Sequence, residues 1–381
     1  TGKRRQITKI TGIACTPPTP DEKGKRATPS GKGAKSALDF VRRWREELVA
    51  AESNDDNSAA SVNAKDETVV EFVERYISSL NVEPGTSQGY RFLLKHIDLL
   101  NMPIADLTAK DVEQWKLDMA ADGIGDHMRN KSFNLLKYAC NWGAATDMIE
   151  KNPCAYVKAP PRPKHEPNPL DPSDLPRLLQ LLQSVKTAKP EFACMALLAL
   201  NTGMRRGELC ALRFGDIDGY ADGSFVGCVH VNRVIAARDG GTYVKNYPKN
   251  GNRRKIDIND NMRAILKERR RALDGATGDL ASAYVFARPT TPTAYPSPDY
   301  MTKTWNMFAS MNALVGVEGS KLRFHDLRDT FATHALVNGI PAVTVASILG
   351  HENANTTMKH YAHFIPSNNR DSMQKMGEIL S

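Results

Sequence analysis

Residues 200–218 read LNTGMRRGELCALRFGDID, and the fold follows from how this stretch breaks. Gly203 ends an apolar helix. Arg205, Glu208, Leu209 and Leu212 then recur at helical spacing, so Arg205 falls in the first turn of a second helix with Glu208 one turn on. After it, GSFVGCVHVNRVIAARDGGTYV (223–244) carries β-branched residues and an Asp-Gly-Gly turn, the pattern of a small antiparallel sheet, and RRKIDI (253–258) reads as a third strand. Helical periodicity resumes beyond it. The reading is mainly α with a small antiparallel β-sheet, the unit of residues 170–381 being mixed α/β.

Upstream, the pattern from Thr68 to Tyr156 is helical throughout, which makes residues 65–158 a module of four or five helices. Thr108 and Asp126 read as N-caps, and Asp111 three residues after Thr108 makes a loose capping box. VKAPPRPKHEPNP (157–169) holds five prolines in thirteen residues, so a helix is excluded and residues 159–169 read as an extended linker. Residues 1–60 read as a basic strand (GKRRQITKI), a Pro/Gly/Lys loop and a helix (AKSALDFVRRWREELVAAE). A lone strand before a helix buries little, so this segment is expected to be part of a small module whose earlier strands precede residue 1.

The net charge of +8 and pI of about 9.1 favour a polyanionic partner. Residues 1–50 hold twelve Lys/Arg against five acids, so nearly all of the excess lies there. No run approaches the roughly 18 apolar residues of a membrane span, and TGKRRQITKI lacks the apolar core of a signal peptide, so a cytoplasmic protein without membrane partners is expected. The six cysteines are scattered without CxxC spacing, which argues against a zinc site and a disulfide framework.

Four segments carry candidate chemistry, each with an ordinary reading when taken alone. Arg205 and Glu208 would be a surface ion pair of little worth. Lys249, Arg253, Arg254 and Lys255 surround an Asn-Gly turn, as at a solvated hairpin tip, yet such a tip can project one lysine into a site built elsewhere. In LRFHDLRDTFATHALVNG (322–339), His325 and Arg328 are three apart and share a helical face, which suits a common anionic target such as phosphate. In LGHENANTTMKHYAH (349–363), Pro341 opens a helix that Gly350 stops, delivering His351. Asn355 then caps a short helix carrying Tyr361, with His360 and His363 as bystanders. Together they supply two arginines, a lysine, two histidines and a tyrosine, but no carboxylate cluster for Mg²⁺ and no Walker or Rossmann fingerprint. A phosphodiester attacked without metal needs fixed cations, and tyrosine is a competent nucleophile in such a field.

TGMRRGEL, the lysine after the sheet, HDLR, FATHALVNG, LGH, the TT pair and a tyrosine ten residues past His351 resemble, in that order, the motif series of the tyrosine recombinases, the phage integrase family, over roughly residues 65–370. The resemblance implies a helical core-binding domain (65–158) joined to a catalytic domain (170–381), with Arg205, Lys249, His325, Arg328, His351 and Tyr361 as catalytic residues and Glu208 supporting them. Lys245 and Lys255 lie close enough to compete with Lys249 for the lysine role. In many members the tyrosine comes nine residues after the last histidine rather than ten, which leaves the register of the Tyr361 helix open. The implied activity is site-specific recombination by a mobile-element integrase through a 3′-phosphotyrosyl intermediate, with no cofactor and no metal. The implied partners are double-stranded DNA at core and arm-type sites, a homo-tetramer on paired sites, and accessory directionality or DNA-bending proteins. Residues 1–60 would be an arm-type DNA-binding module. Lys3, Arg4, Arg5, Arg129, Lys131, Arg253 and Arg254 are the candidate DNA contacts. Met373, Met376, Ile379 and Leu380 recur at helical spacing in a tail helix, expected to dock on a neighbouring protomer. The rival readings are an inactive DNA-binding regulator of the same fold and a type IB topoisomerase-like relaxing enzyme.

Overall fold

The computed structural model describes residues 67–100, 102–163, 166–238, 240–246, 253–364 and 369–380. The basic strand and helix of residues 1–60, with Lys3, Arg4 and Arg5, and the hairpin-tip Lys249 lie outside the described residues.

Four helices, α1 (Val69–Ser79), α2 (Pro84–Ile97), α3 (Ala109–Ala121) and α4 (Asp126–Ala145), form the first unit. Capping boxes start two of them. Thr68 N–H donates to Glu71 Oε2 at 2.9 Å, and Thr108 N–H to Asp111 Oδ2 at 2.9 Å. The cap of α4 is Gly125, so Asp126 is its first residue rather than its cap, where its carboxylate still meets the positive helix end. The apolar faces close on Phe72, Ile97, Trp115, Phe133 and Leu136, all nearly fully buried. Burying one such side chain is worth about 1.5–3 kcal/mol. Gly143 permits the closest approach, since a Cβ there would lie 2.4 Å from the Phe72 ring.

The described residues of the proline-rich segment form neither helix nor strand, and the segment is packed at both ends. Asn130 Nδ2 donates to Pro160 O at 2.7 Å, and buried Asn168 accepts from Glu318 N–H at 3.0 Å and donates to Ser320 O at 3.1 Å. Leu170 N–H then donates to the Thr330 hydroxyl oxygen at 2.9 Å.

The second unit contains α5 (Leu175–Val185), α6 (Pro190–Thr202), α7 (Arg206–Ala211), strands β1 (Cys228–Val231), β2 (Val234–Arg238), β3 (Gly241–Lys245) and β4 (Arg254–Asp257), then α8 (Asp260–Ala272), α9 (Pro298–Met311), α10 (Asp326–Val337), α11 (Ala342–Leu349), α12 (Ala354–Tyr361) and α13 (Asn369–Leu380). Its core is built on Leu209, Phe214, Leu266, Trp305 and Leu327. The strands pair antiparallel as two separate ladders, β1 with β4 and β2 with β3, instead of one three-stranded sheet. Asn232 and Arg233 interrupt the run between β1 and β2, and Arg233 turns aside to ion-pair with buried Asp216. The β2–β3 hairpin turns at the expected place, with Gly240 at φ +76°.

Candidate active site

The cationic part of the site begins where α6 stops. Gly203 takes a left-handed conformation (φ +60°), and a Cβ there would lie 2.5 Å from the Leu349 side chain and 2.7 Å from Phe331. Only glycine lets the end of α6 lie so close to α10 and α11. Its carbonyl, and that of Leu349, accept from the two terminal nitrogens of Arg328 at 2.7 and 2.8 Å. Arg328 is therefore buried with its fork fixed by backbone. Burial, reinforced by the Arg205 charge, lowers its pKa to about 9.

Arg205 is the residue before α7, not part of its first turn, because its N–H is already engaged by Glu208 Oε2 at 2.8 Å. Its guanidinium donates to Glu208 Oε1 at 3.0 Å and stays partly exposed. Glu208 also accepts from both terminal nitrogens of Arg254, at 3.1 and 2.7 Å. Burial alone would raise the Glu208 pKa, but the hydrogen bonds and charge of Arg254, with Arg205 behind them, hold it below the usual carboxylate value. Arg254 is thus not the surface cation expected from the sequence. Its guanidinium is buried on Glu208 and donates through Nε to Ile348 O at 2.6 Å, since a buried carboxylate needs a buried counter-charge.

Gly350 ends α11 in a left-handed conformation (φ +69°), and His351 follows at once, its N–H donating back to Ala346 O at 2.9 Å. Nδ1 of His351 lies 2.8 Å from the hydroxyl of buried Thr357. Burial, with Arg328 and Arg205 nearby, lowers its pKa to about 4, so the ring is neutral at pH 7. His325 stands one residue before α10, and its pKa is lowered chiefly by burial.

The helix carrying Tyr361 is capped by Asn353 rather than Asn355. The Asn353 side chain accepts from Thr356 N–H at 3.1 Å. The helix therefore starts two residues earlier than the sequence suggests. Tyr361 becomes the last residue of α12, 4% exposed, and its hydroxyl donates to Asp329 Oδ1 at 2.7 Å. Burial, then the Asp329 carboxylate, raises its pKa against the opposing pull of Arg328 and Arg205.

One cavity of about 160 Å³ is lined by Arg205, His325, Arg328, Asp329, His351 and Tyr361, with Pro167 of the linker and Thr356. His360, expected as a bystander, also lines this cavity while staying exposed. Five of the six residues expected to be catalytic meet there. Asp329 and Thr357 were not singled out in the sequence. Thr357 belonged to the TT pair without an assigned role, and nothing in the sequence places Asp329 against a tyrosine 32 positions away. Among the described residues no group of three or more His, Cys, Asp or Glu is placed to hold a metal ion, and no helix is long and apolar enough to cross a membrane.

Of the other basic candidates, Arg129 pairs with Asp126 and Arg253 is exposed. Lys131 is exposed beside a larger cavity of about 710 Å³ between α2 and α4, which His127 and Arg162 also line.

Residues 168–367, more than half of the chain, match a model described as the phage integrase family. The chain is 22% identical over 366 residues to the ICEBs1 integrase of Bacillus subtilis (strain 168), covering 93% of each. It is 25% identical over 308 residues to a tyrosine recombinase XerC-like protein of Caldanaerobacter subterraneus subsp. tengcongensis, covering 76% of each. Among solved structures it is similar to a Tn1549 transposon integrase in complex with a circular intermediate DNA, with TM-score 0.65, 21% identity, and coverage of 81% of this chain and 99% of that one. It is also similar to a lambda integrase tetramer bound to a Holliday junction, with TM-score 0.58, 17% identity, and coverage of 96% and 97%.

Proposed function

The chain belongs to the phage integrase family and is a tyrosine-type site-specific DNA recombinase, and on that premise we propose how its residues divide the work. The observation that carries the reading is the convergence of Arg205, His325, Arg328, His351 and Tyr361 on one small cavity. A phosphodiester seated there meets two guanidinium groups and a neutral imidazole, donors suited to charge building on the non-bridging oxygens. Tyr361 Oη attacks phosphorus, an Oη–P bond forms, and the bond to the 5′-oxygen breaks, leaving a 3′-phosphotyrosyl link and a free 5′-hydroxyl. Lys249 donates the proton the leaving oxygen needs. His325 is the base offered by the sequence for the tyrosine proton. Glu208 and Arg254 hold Arg205 in place.

DNA is the substrate, and the homologous integrases solved on DNA include a tetramer. In our reading residues 65–158 bind core DNA together with the catalytic domain of 170–381, residues 159–169 join the two, and Lys131 and Arg253 contact the backbone. Residues 1–60 bind arm-type sites through Lys3, Arg4 and Arg5, accessory proteins set direction, and the reaction takes place in the cytoplasm. The tail helix α13 leaves Met376, Ile379 and Leu380 exposed at 47%, 75% and 79%. That supports docking on a neighbouring protomer. Removing residues 367–381 is expected to abolish recombination and leave single-site cleavage, and unchanged recombination would refute the docking.

The test of the activity is a nicked suicide duplex. An adduct that survives SDS and EDTA is expected from the unaltered protein; no adduct on any candidate site would refute the cleavage chemistry.

A further inference from the structure

The Tyr361 hydroxyl makes one hydrogen bond among the described residues, to Asp329 Oδ1 at 2.7 Å. The second carboxylate oxygen, Oδ2, is buried and has no hydrogen-bond partner among the described residues. Asp329 is 5% exposed and follows Arg328 on α10, and both residues line the same cavity. His325 makes no hydrogen bond to that hydroxyl among the described residues, although it lines the same cavity. We propose that Asp329 is a catalytic residue of strand cleavage, the carboxylate that receives the Tyr361 proton as Oη attacks phosphorus.

The inference rests on the reading of Tyr361 as nucleophile and changes which group serves it. The Oη–H bond breaks and the proton moves to Asp329 Oδ1. The freed electron pair forms the Oη–P bond, the bond to the 5′-oxygen breaks, and that oxygen takes its proton from the Lys249 amine. On rejoining, the 5′-hydroxyl returns its proton to that amine and attacks phosphorus, and the departing phenolate recovers its own from Asp329. No oxidant, reductant or further reactant is involved.

The charges around Asp329 explain why the transfer waits for DNA. Arg328 and Arg323 on its own side, His325 and Asp326 at the start of α10, Arg205 before α7, and His351 and His360 from beyond α11 all face the pocket or act on its groups. Without substrate, burial and the neighbouring carboxylate keep the phenol protonated. A phosphodiester held by the two arginines gives Oη an electrophile, so the proton can leave as the new bond forms.

Asp329→Asn keeps the shape and can still accept from Tyr361 through its amide oxygen, but cannot take the proton. Single-turnover cleavage of the suicide duplex by the full chain is expected to fall about 10²–10⁴-fold at pH 7, with DNA affinity and melting midpoint unchanged. The deficit is expected to narrow as pH rises and hydroxide replaces the carboxylate. On a duplex with sulfur in place of the bridging 5′-oxygen, whose leaving group needs no proton, Lys249→Ala is expected to recover and Asp329→Asn to stay slow. Asp329→Glu, which retains a base, is expected to outpace the Asn variant. An Asn variant as fast as the unaltered chain, or one restored by the sulfur substrate, overturns the proposal. An adduct formed by Tyr361→Phe overturns the nucleophile reading, and the proposal with it.

Discussion

The two halves of the active cavity are held by different means. On one side Arg328 is fixed by two backbone carbonyls and Arg205 by Glu208, which Arg254 holds in turn. On the other side Tyr361 packs in a small cluster with Ala332, Ala335, Leu336, Val345 and Leu349, and its hydroxyl has one partner among the described residues. The groups that stabilise charge are set before substrate arrives, so no reorganisation is needed when charge develops. The group that forms the bond is held by apolar packing and one hydrogen bond. That contrast suits a reaction in which the nucleophile becomes covalently attached to a strand while the phosphate site stays fixed.

The strongest way to break the contrast is to remove the anchor of the cationic half. Glu208→Ala leaves the buried Arg254 charge without its partner and is expected to cost about 3–5 kcal/mol of stability in denaturant unfolding. A loss below 1 kcal/mol would mean the half is not anchored through Glu208. Arg328→Lys keeps the charge and loses the fork. Cleavage is expected to fall about 10²–10³-fold, with DNA affinity changed less than tenfold, because the lost interaction belongs to the transition state; an equal loss in both would place Arg328 in ground-state binding.

A third, smaller effect is expected with pH. His351 binds its proton more weakly in the folded chain, near pH 4, than the ordinary value of about 6.5 in the unfolded chain. Between those values the unfolded state holds more protons, so stability falls as pH drops through the window and is unaffected by this group above it. His325 acts in the same direction. The His351 contribution, reduced for its partial exposure, is about 1 kcal/mol, and His351→Gln is expected to flatten that part of the profile. The smallest effect sharpens the placement of His351. Thr357→Val removes the partner of Nδ1 and is expected to cost about 0.5–1.5 kcal/mol, with cleavage slowed more than DNA binding.

Local signals in the sequence located the backbone of the site better than its contacts. Gly203 and Gly350 stop helices where their left-handed conformations require it, Thr108 caps as its spacing with Asp111 indicates, and the described part of the proline-rich run is not helical. Cap positions slipped by one or two residues, to Gly125 and Asn353, because several small polar residues compete near a helix start and packing chooses among them. What could not be read was side-chain pairing over distance. Arg254 stands beside a solvated-looking turn in sequence, yet a ladder with β1 brings β4 against α11 and buries the guanidinium on Glu208, 46 positions away. Asp329 reads as one more polar residue on a helix until α12 docks Tyr361 against it.

The most direct measurement of the central claim is the site of covalent attachment. Trypsin digestion of the adduct trapped on the suicide duplex, followed by mass spectrometry, is expected to find the nucleotide on Tyr361, in the peptide that begins at His360 after cleavage at Lys359. Attachment at any other residue, or an adduct that persists in Tyr361→Phe, would contradict the account.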